Sequence, residues 1–356
     1  HAAYGGVVPE IAARSHIEAI NPAIEQALTD AHCTWDDIDV IAVTYAPGLI
    51  GSLLVGTLAA RTLAVLKDKP LYPIHHVEAH VYANFITQQA EREPLVGVTV
   101  ETSATRVSPE TRREAVSIVT PTKRLELPSK QPAFPMLALI VSGGHTQLVL
   151  FRDHGDYELL GQTQDDAVGE AFDKVAKIIG LPYPGGPSIA NAAMEGNPNA
   201  YQLPKSKLQH PYDFSFSGLK TAVLRAVQRE VGKDFTFPSH ELPALLTASQ
   251  RNDFAASFQR IAVETLVDKT LLAYEHYLPA SVVIAGGVAA NQELRRELSR
   301  RLPVAIEYAP MQLCTDNAAM IATLGYYVAQ TCEPCDPYAL EVQPSISMTK
   351  TAWHKV

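Results

Sequence analysis

Four cysteines in 356 residues are too few for a disulfide scaffold. Cys332 and Cys335 form a CxxC beside Pro334 and Pro337, but no second pair accompanies them. A four-thiolate zinc site within one chain is therefore excluded, and the thiols read as reduced and incidental. A basic surplus is also missing, with a net charge of −9 and a pI near 5.7. A chain that grips nucleic acid unaided usually carries excess Lys and Arg, so any such role must rest on a local patch or on helper subunits. No apolar run reaches the roughly 18 residues expected of a membrane span. The opening His1-Ala2-Ala3-Tyr4-Gly5-Gly6 has no initiator Met, basic n-region or apolar h-region, and reads as mid-protein sequence rather than a signal peptide. Neither GxxxxGK[ST] nor GxGxxG occurs, which excludes a Walker loop and a dinucleotide fingerprint.

What remains is an ordinary globular composition, 47% apolar and 19% charged, on a chain long enough for two cores. Apolar residues at helical spacing (Ile11, Ile17, Ile20, Ile24, Leu28) predict a helix over 9–31, followed by a short strand at 38–43. Residues 51–66, rich in Leu, Ala and Val, predict a buried helix. Thr, Ser, Pro, Glu and Arg dominate from about Gln88 to Pro135, which reads as an inserted mobile loop with a weak hairpin signal at 95–100 and 115–119. Strands are expected at 137–141, 147–151 and 157–160, then helices at 166–179, 217–231, 250–277 and 291–301. Strands at 281–285 and 305–308 and a last helix over 316–330 complete the pattern. Strands alternating with helices, with a strand–Gly-Gly–strand hairpin among them, argue for an α/β fold with mixed sheets.

Two features carry chemistry. His75-His76-Val77-Glu78-Ala79-His80 sets His76 and His80 four apart, one above the other on a helix, where both could hold one metal ion; a solvated helix face is the plainer reading. Three glycine turns, Ser142-Gly143-Gly144-His145-Thr146, Pro184-Gly185-Gly186-Pro187 and Ala285-Gly286-Gly287-Val288, share one design. The first and third follow apolar strands, and paired glycines let backbone N–H groups converge on an anion. Together they point to a phosphate or nucleotide cleft between strand hairpins.

With these segments in view the chain resembles the TsaD family of tRNA threonylcarbamoyladenosine transferases, in its bacterial or organellar branch. The resemblance runs through Tyr4 to Glu10, Pro47 to Leu53, His75 to His80, Val141 to Leu148 and Asp165 to Lys174. It continues through Tyr183 to Pro187, Phe214 to Lys220, Ala285 to Asn291 and Cys314 to Asn317. It implies an actin-like, two-lobed fold of the actin, Hsp70 and sugar-kinase type. The first lobe would comprise 1–135 with 316–345, the second 136–315, and 346–356 a tail. The family also begins with an earlier strand hairpin carrying a phosphate-binding turn, so the chain is expected to lack part of its first sheet. Its 88–135 insertion exceeds the family's usual loop.

The implied reaction moves threonylcarbamoyl from threonylcarbamoyl-AMP to the exocyclic amine of the tRNA adenosine 3′ of the anticodon, in tRNAs reading ANN codons, and releases AMP. The resemblance makes Asp316 the third ligand beside His76 and His80; as a bare residue it could be a helix N-cap. Two imidazoles and a carboxylate with open positions favour Fe(II), with Zn(II) as the alternative. Ile140, Val141, Ser142, Gly143 and Gly144 match the phosphate-side turn, and Asp173 the carboxylate on the ribose hydroxyls. Gly186 and Asn291 match positions against the nucleoside, and ATP-like nucleotides are expected to bind. His75 reads as structural and Lys220 as a solvated lysine. Partners implied are tRNA, a TsaB-like paralogous subunit, a TsaE-like ATPase and a TsaC-type enzyme that makes the adenylate. The setting is cytoplasmic, or an organellar matrix, without a membrane. Rival readings are an actin-like phosphotransferase or ATPase, a non-catalytic scaffold and a metalloprotease. The last conflicts with the HExxH pattern, since Glu78 stands two places after His76 rather than one.

Overall fold

Two parallel strands and a separate five-stranded sheet organise the molecule. The structure, a computed structural model, describes residues 8–88 and 125–350. The expected hairpin at 95–100 and 115–119 lies outside the described residues.

Helix α1 (Pro9–Asp30) starts at a proline, whose missing N–H costs nothing in a first turn. Strand β1 (Ile41–Ala46) then pairs in parallel with β2 (Leu71–His75), and α2 (Ile50–Lys67) crosses between them. The expectation that α2 is buried is corrected. Only Leu53, Thr57, Ala60 and Ala64 are buried, the small ones letting the helix lie close, while Ile50, Leu54, Leu58, Val65 and Leu66 face outward. Composition reports how apolar a helix is, not how much of it neighbours cover. Among the described residues α2 is also the one helix long and apolar enough, by composition, to cross a membrane. It packs on α1 and β1, and its Arg61 donates to the carbonyl oxygens of Tyr338 and Leu340.

Helix α3 (His76–Tyr82) follows β2 without a loop and is buried from Val77 onward. Residues 125–135 are not part of a mobile loop: Leu125 and Leu127 pack on the core, and Gln88 N–H donates to Pro128 O at 3.0 Å.

Strands β3 (Met136–Val141), β4 (Thr146–Asp153), β5 (Asp156–Gln162), β6 (Ser281–Ala285) and β7 (Ile306–Tyr308) form the large sheet, ordered β5-β4-β3-β6-β7. Antiparallel pairs join β5, β4 and β3, and parallel pairs join β3, β6 and β7. All six residues of β3 are buried, as expected of a central strand covered on both faces. Around it pack α4 (Val168–Ile179), α5 (Gly185–Ala193), α6 (Ser217–Glu230), α7 (Ala248–Tyr277) and α8 (Gln292–Arg301). A capping box between Thr247 and Gln250 starts α7. The glycine stretch at 185–186 opens α5, a helix that Pro and Gly content concealed.

The chain ends with α9 (Met311–Cys314) and α10 (Ala318–Ala329), and α10 returns to pack on α3, β1 and β2. The described part of the tail is anchored: Met348 is buried, and His75 Nε2 lies 3.1 Å from Ile346 O.

Candidate active site

His76 is the first residue of α3 and His80 lies one turn on, so their rings stand 4.7 Å apart between centroids. Asp316 arrives from the far end of the chain, in the turn between α9 and α10. Its Oδ1 is 3.3 Å from Nε2 of each histidine. Among the described residues these three form the one cluster of His, Cys, Asp or Glu able to share a metal ion, their ligand atoms all within 4.8 Å of one another. Asp316 is not the helix cap. Asn317 fills that role, accepting from Met320 N–H at 2.9 Å, and its amide nitrogen pins the turn to Leu313 O and Thr315 O. The cap next door leaves the Asp316 carboxylate free to point at the histidines.

The donor set suits a divalent cation. Burial lowers the pKa of His80, so its ring is disposed to be neutral, as a ligand must be. Hydrogen bonds to His76 and His80 hold the Asp316 carboxyl well below the usual range, as an anion. Nδ1 of His80 is buried without a partner among the described residues, so nothing competes for the ring's orientation. The Asp316 side chain is 79% exposed, which leaves an open side towards solvent. His75 faces the other way, with its pKa lowered by burial to about 4. Glu78 is fully buried, with its Oε2 3.1 Å from Tyr157 Oη, so it cannot serve as a base beside the histidines. That geometry disposes of the metalloprotease reading.

The first glycine turn adjoins this cluster. Ser142 N–H donates to His145 O (2.8 Å) and His145 N–H donates to Ser142 Oγ (3.0 Å), closing the β3–β4 turn. Burial lowers the His145 pKa to about 4, and the charges of His76 and His80 press the same way. Gly143, in the same turn, lines a cavity of about 690 Å³. No described group accepts from the N–H of Gly143 or Gly144, and a Cβ at either would meet nothing within 4 Å. Two free donors over open space make a ready anion cradle.

Close backbone approaches build the cavity. Gly286, at φ +92°, lies so near Val141 O that any side chain would overlap it. A Cβ on Gly169 would come within 2.6 Å of Ser142 O, and one on Gly185 within 2.5 Å of Asp173 Cα. Val168 N–H donates to Thr146 Oγ1 at 2.9 Å, tying the start of α4 to the turn. Asp173, on α4, lines the cavity and accepts from Gly185 N–H at 2.7 Å. Burial raises its pKa, Glu170 adds to that, and the Gly185 hydrogen bond opposes it. Gly186 lines the same wall with open space where a Cβ would stand. Asn291 caps α8 through Leu294 N–H (3.0 Å) and lines the cavity as well.

Of the residues expected to bind substrate, Gly143, Asp173, Gly186 and Asn291 share this cavity. Ile140 and Val141 do not reach it with their side chains, which are fully buried in β3; they have backbone alone to offer. Ser142 and Gly144 belong to the turn beside it. Lys220 is not a solvated lysine: its Nζ is 2.9 Å from Asp166 Oδ2, and Lys174 Nζ is 2.8 Å from Asp166 Oδ1. Sequence reading missed Gln259, Phe172, Met194 and Arg296 as cavity residues. Only Phe172 carried a signal, as the neighbour of Asp173.

Comparison with known proteins identifies the family. Residues 1–108 and 117–323 match the TsaD family, described as tRNA N6-adenosine threonylcarbamoyltransferase. Curated proteins of that description resemble the chain closely. The one from Thermomicrobium roseum is 46% identical over 93% of this chain and 83% of its own length. The Gloeobacter violaceus protein is 43% identical over 91% and 80%, and that of Dehalococcoides mccartyi 41% over 98% and 89%. Among solved structures, full-length HypF in its phosphate- and nucleotide-bound form superposes with a TM-score of 0.53 at 13% identity. It covers 88% of this chain, which spans 42% of HypF, and so speaks to the α/β fold alone. With most of its length inside the family and identities above 40% to several curated members, the chain belongs to the TsaD family.

Proposed function

We infer that this chain transfers the threonylcarbamoyl group from threonylcarbamoyl-AMP to the exocyclic amine of the tRNA adenosine 3′ of the anticodon, releasing AMP. The observation that carries this reading is one glycine turn adjoining two sites. His145 of that turn feels the charges of His76 and His80, the cluster's histidines, and Gly143 of the same turn lines a nucleotide-sized cavity. The order of the large sheet, antiparallel at one end and parallel at the other, supports an actin-like lobe, with β1, β2 and α10 belonging to a second. We assign 1–135 with 316–345 to the lobe of β1, β2 and α10, 136–315 to that of the large sheet, and 346–356 to a tail.

In this reading the adenylate occupies the cavity. Asp173 accepts from the ribose hydroxyls, Gly186 lets the nucleoside approach without a side chain between, and Asn291 faces it. The free N–H groups of Gly143 and Gly144 hold the phosphate and stabilise the AMP that departs. A divalent cation held by His76, His80 and Asp316, Fe(II) by preference and Zn(II) otherwise, would supply Lewis-acid polarisation of substrate oxygen. The mixed anhydride is already activated, so the protein's share is mainly to position the two substrates. The acidic balance leaves tRNA capture to helpers: a TsaB-like subunit and a TsaE-like ATPase, with a TsaC-type enzyme supplying the adenylate. The setting we propose is the cytoplasm, or an organellar matrix, with no membrane partner.

The test supplies threonine, bicarbonate, ATP, unmodified tRNA, the adenylate-forming enzyme and the helper subunits, then measures threonylcarbamoyladenosine. Product is expected only when this chain is present. A phosphoryl acceptor consumed without modified nucleoside would favour the phosphotransferase reading instead.

A further inference from the structure

Gln259 is a cavity residue with no part in the assignment above. Gln259 lies mid-way along α7, among Phe258, Ile261 and Ala262, and is 8% exposed. What exposure it has is on the cavity wall.

The direction of its amide follows from a chain of hydrogen bonds that begins at a backbone. Leu294 N–H, in the first turn of α8, can only donate, so the Asn291 atom it meets at 3.0 Å is Oδ1. That sets Asn291 Nδ2 on the other side, 2.9 Å from Gln259, so Gln259 presents its oxygen there. The Gln259 Nε2 group is thereby turned away from Asn291; among the described residues it makes no hydrogen bond, and it is not sealed from solvent. A helix cap thus orients one amide, which orients a second. A donor on a cavity wall that is met by solvent alone is available to an acceptor on a ligand. The surrounding wall is largely apolar, with Phe172, Pro187, Met194, Val288 and Ala290, which suits a flat ring rather than a sugar.

We propose that Gln259 reads the nucleobase, its Nε2 donating a hydrogen bond to a ring nitrogen of the purine. This rests on the cavity being the adenylate site. Asp173 then faces the ribose and Gln259 the base, so the purine is recognised by the same hydrogen-bond chain that caps α8.

Titrating AMP and its 1-deaza, 3-deaza and 7-deaza analogues into the chain, by calorimetry, tests it. The unmodified chain is expected to bind one of the three about three- to ten-fold more weakly than AMP, the worth of one hydrogen bond. Gln259→Glu keeps an oxygen for Asn291 but replaces the donor with an acceptor. It should weaken AMP by a similar factor and abolish discrimination against that one analogue. Gln259→Met, which loses both contacts, should in addition lower the melting temperature. In turnover, Gln259→Glu should raise KM for the adenylate more than it lowers kcat. Equal binding of AMP and all three analogues by the unmodified chain would overturn the proposal, as would a Gln259→Glu protein that still discriminates. If the unmodified chain bound no AMP at all, the adenylate reading of the cavity would itself fail.

Discussion

At His76, His80 and Asp316 the distance between a bland and a chemical reading comes down to neighbours. A helix-start Asp is ordinarily a cap, yet Asn317 takes the cap and sets Asp316 against two imidazoles. His76→Ala or Asp316→Ala is expected to cut product by about 100-fold or more, the scale of losing a metal ligand or its support. Elemental analysis should show the metal lost while circular dichroism stays unchanged. Full turnover by either variant would remove the metal role. The glycines allow a second residue-scale test, because their surroundings differ. Gly186→Ala places a methyl in open cavity and should weaken AMP binding without moving the melting temperature. Gly169→Ala drives a Cβ into Ser142 O and should destabilise the fold by roughly 1–3 kcal/mol. Thermal melts of the two proteins, side by side with AMP titrations, separate the roles.

Among the elements, α4 and α6 are tied by one carboxylate. Burial disfavours a charged Asp166, but hydrogen bonds from Lys174, Lys220 and Ser217 outweigh it and bring its pKa down to about 2. A folded pKa below the unfolded value means that the group stabilises the fold at neutral pH. The contribution is lost as pH falls from about 4 through about 2. Asp166→Asn should therefore melt below the unmodified protein at pH 7, and the gap should close as pH approaches 2. A gap independent of pH would show that packing, not charge, is what the residue contributes. This tie was illegible beforehand, since Lys220 at a helix start looks like any solvated lysine. The helices and strands themselves were mostly legible from periodicity, to within a residue or two at their ends, except β1, expected over 38–43 and found three residues later. Two misreadings are instructive. Helix α5 hides behind Pro184, Gly185 and Gly186, because turn residues also make good first turns. Helix α2 looked buried because it is apolar, but only the Leu53, Thr57, Ala60 and Ala64 stripe is covered.

For the whole molecule, charge sets the expectation about tRNA. With a net charge of −9, the chain alone should bind unmodified tRNA more weakly than about 1 µM at physiological salt. Affinity should rise when the helper subunits are added. Filter binding over a salt series would measure both, and sub-micromolar binding by the isolated chain would show a basic patch that composition conceals.

Read alone, the chain of residues determined what could be settled locally. The four-residue spacing of His76 and His80, the glycine pairs after apolar strands and the α/β alternation all follow from neighbours in sequence. Its motif order also pointed to the family that the comparisons then matched. Tertiary structure decided what depends on distant segments. It brought Asp316 to His76 across the length of the chain, and set Val141 O against Gly286. It left the Ile140 and Val141 side chains inside β3 and set the Gln259 amide against Asn291 on the cavity wall. The physical reason is range: backbone sterics and side-chain period act over a few residues, whereas burial and hydrogen-bond partners are set by whatever the fold packs alongside.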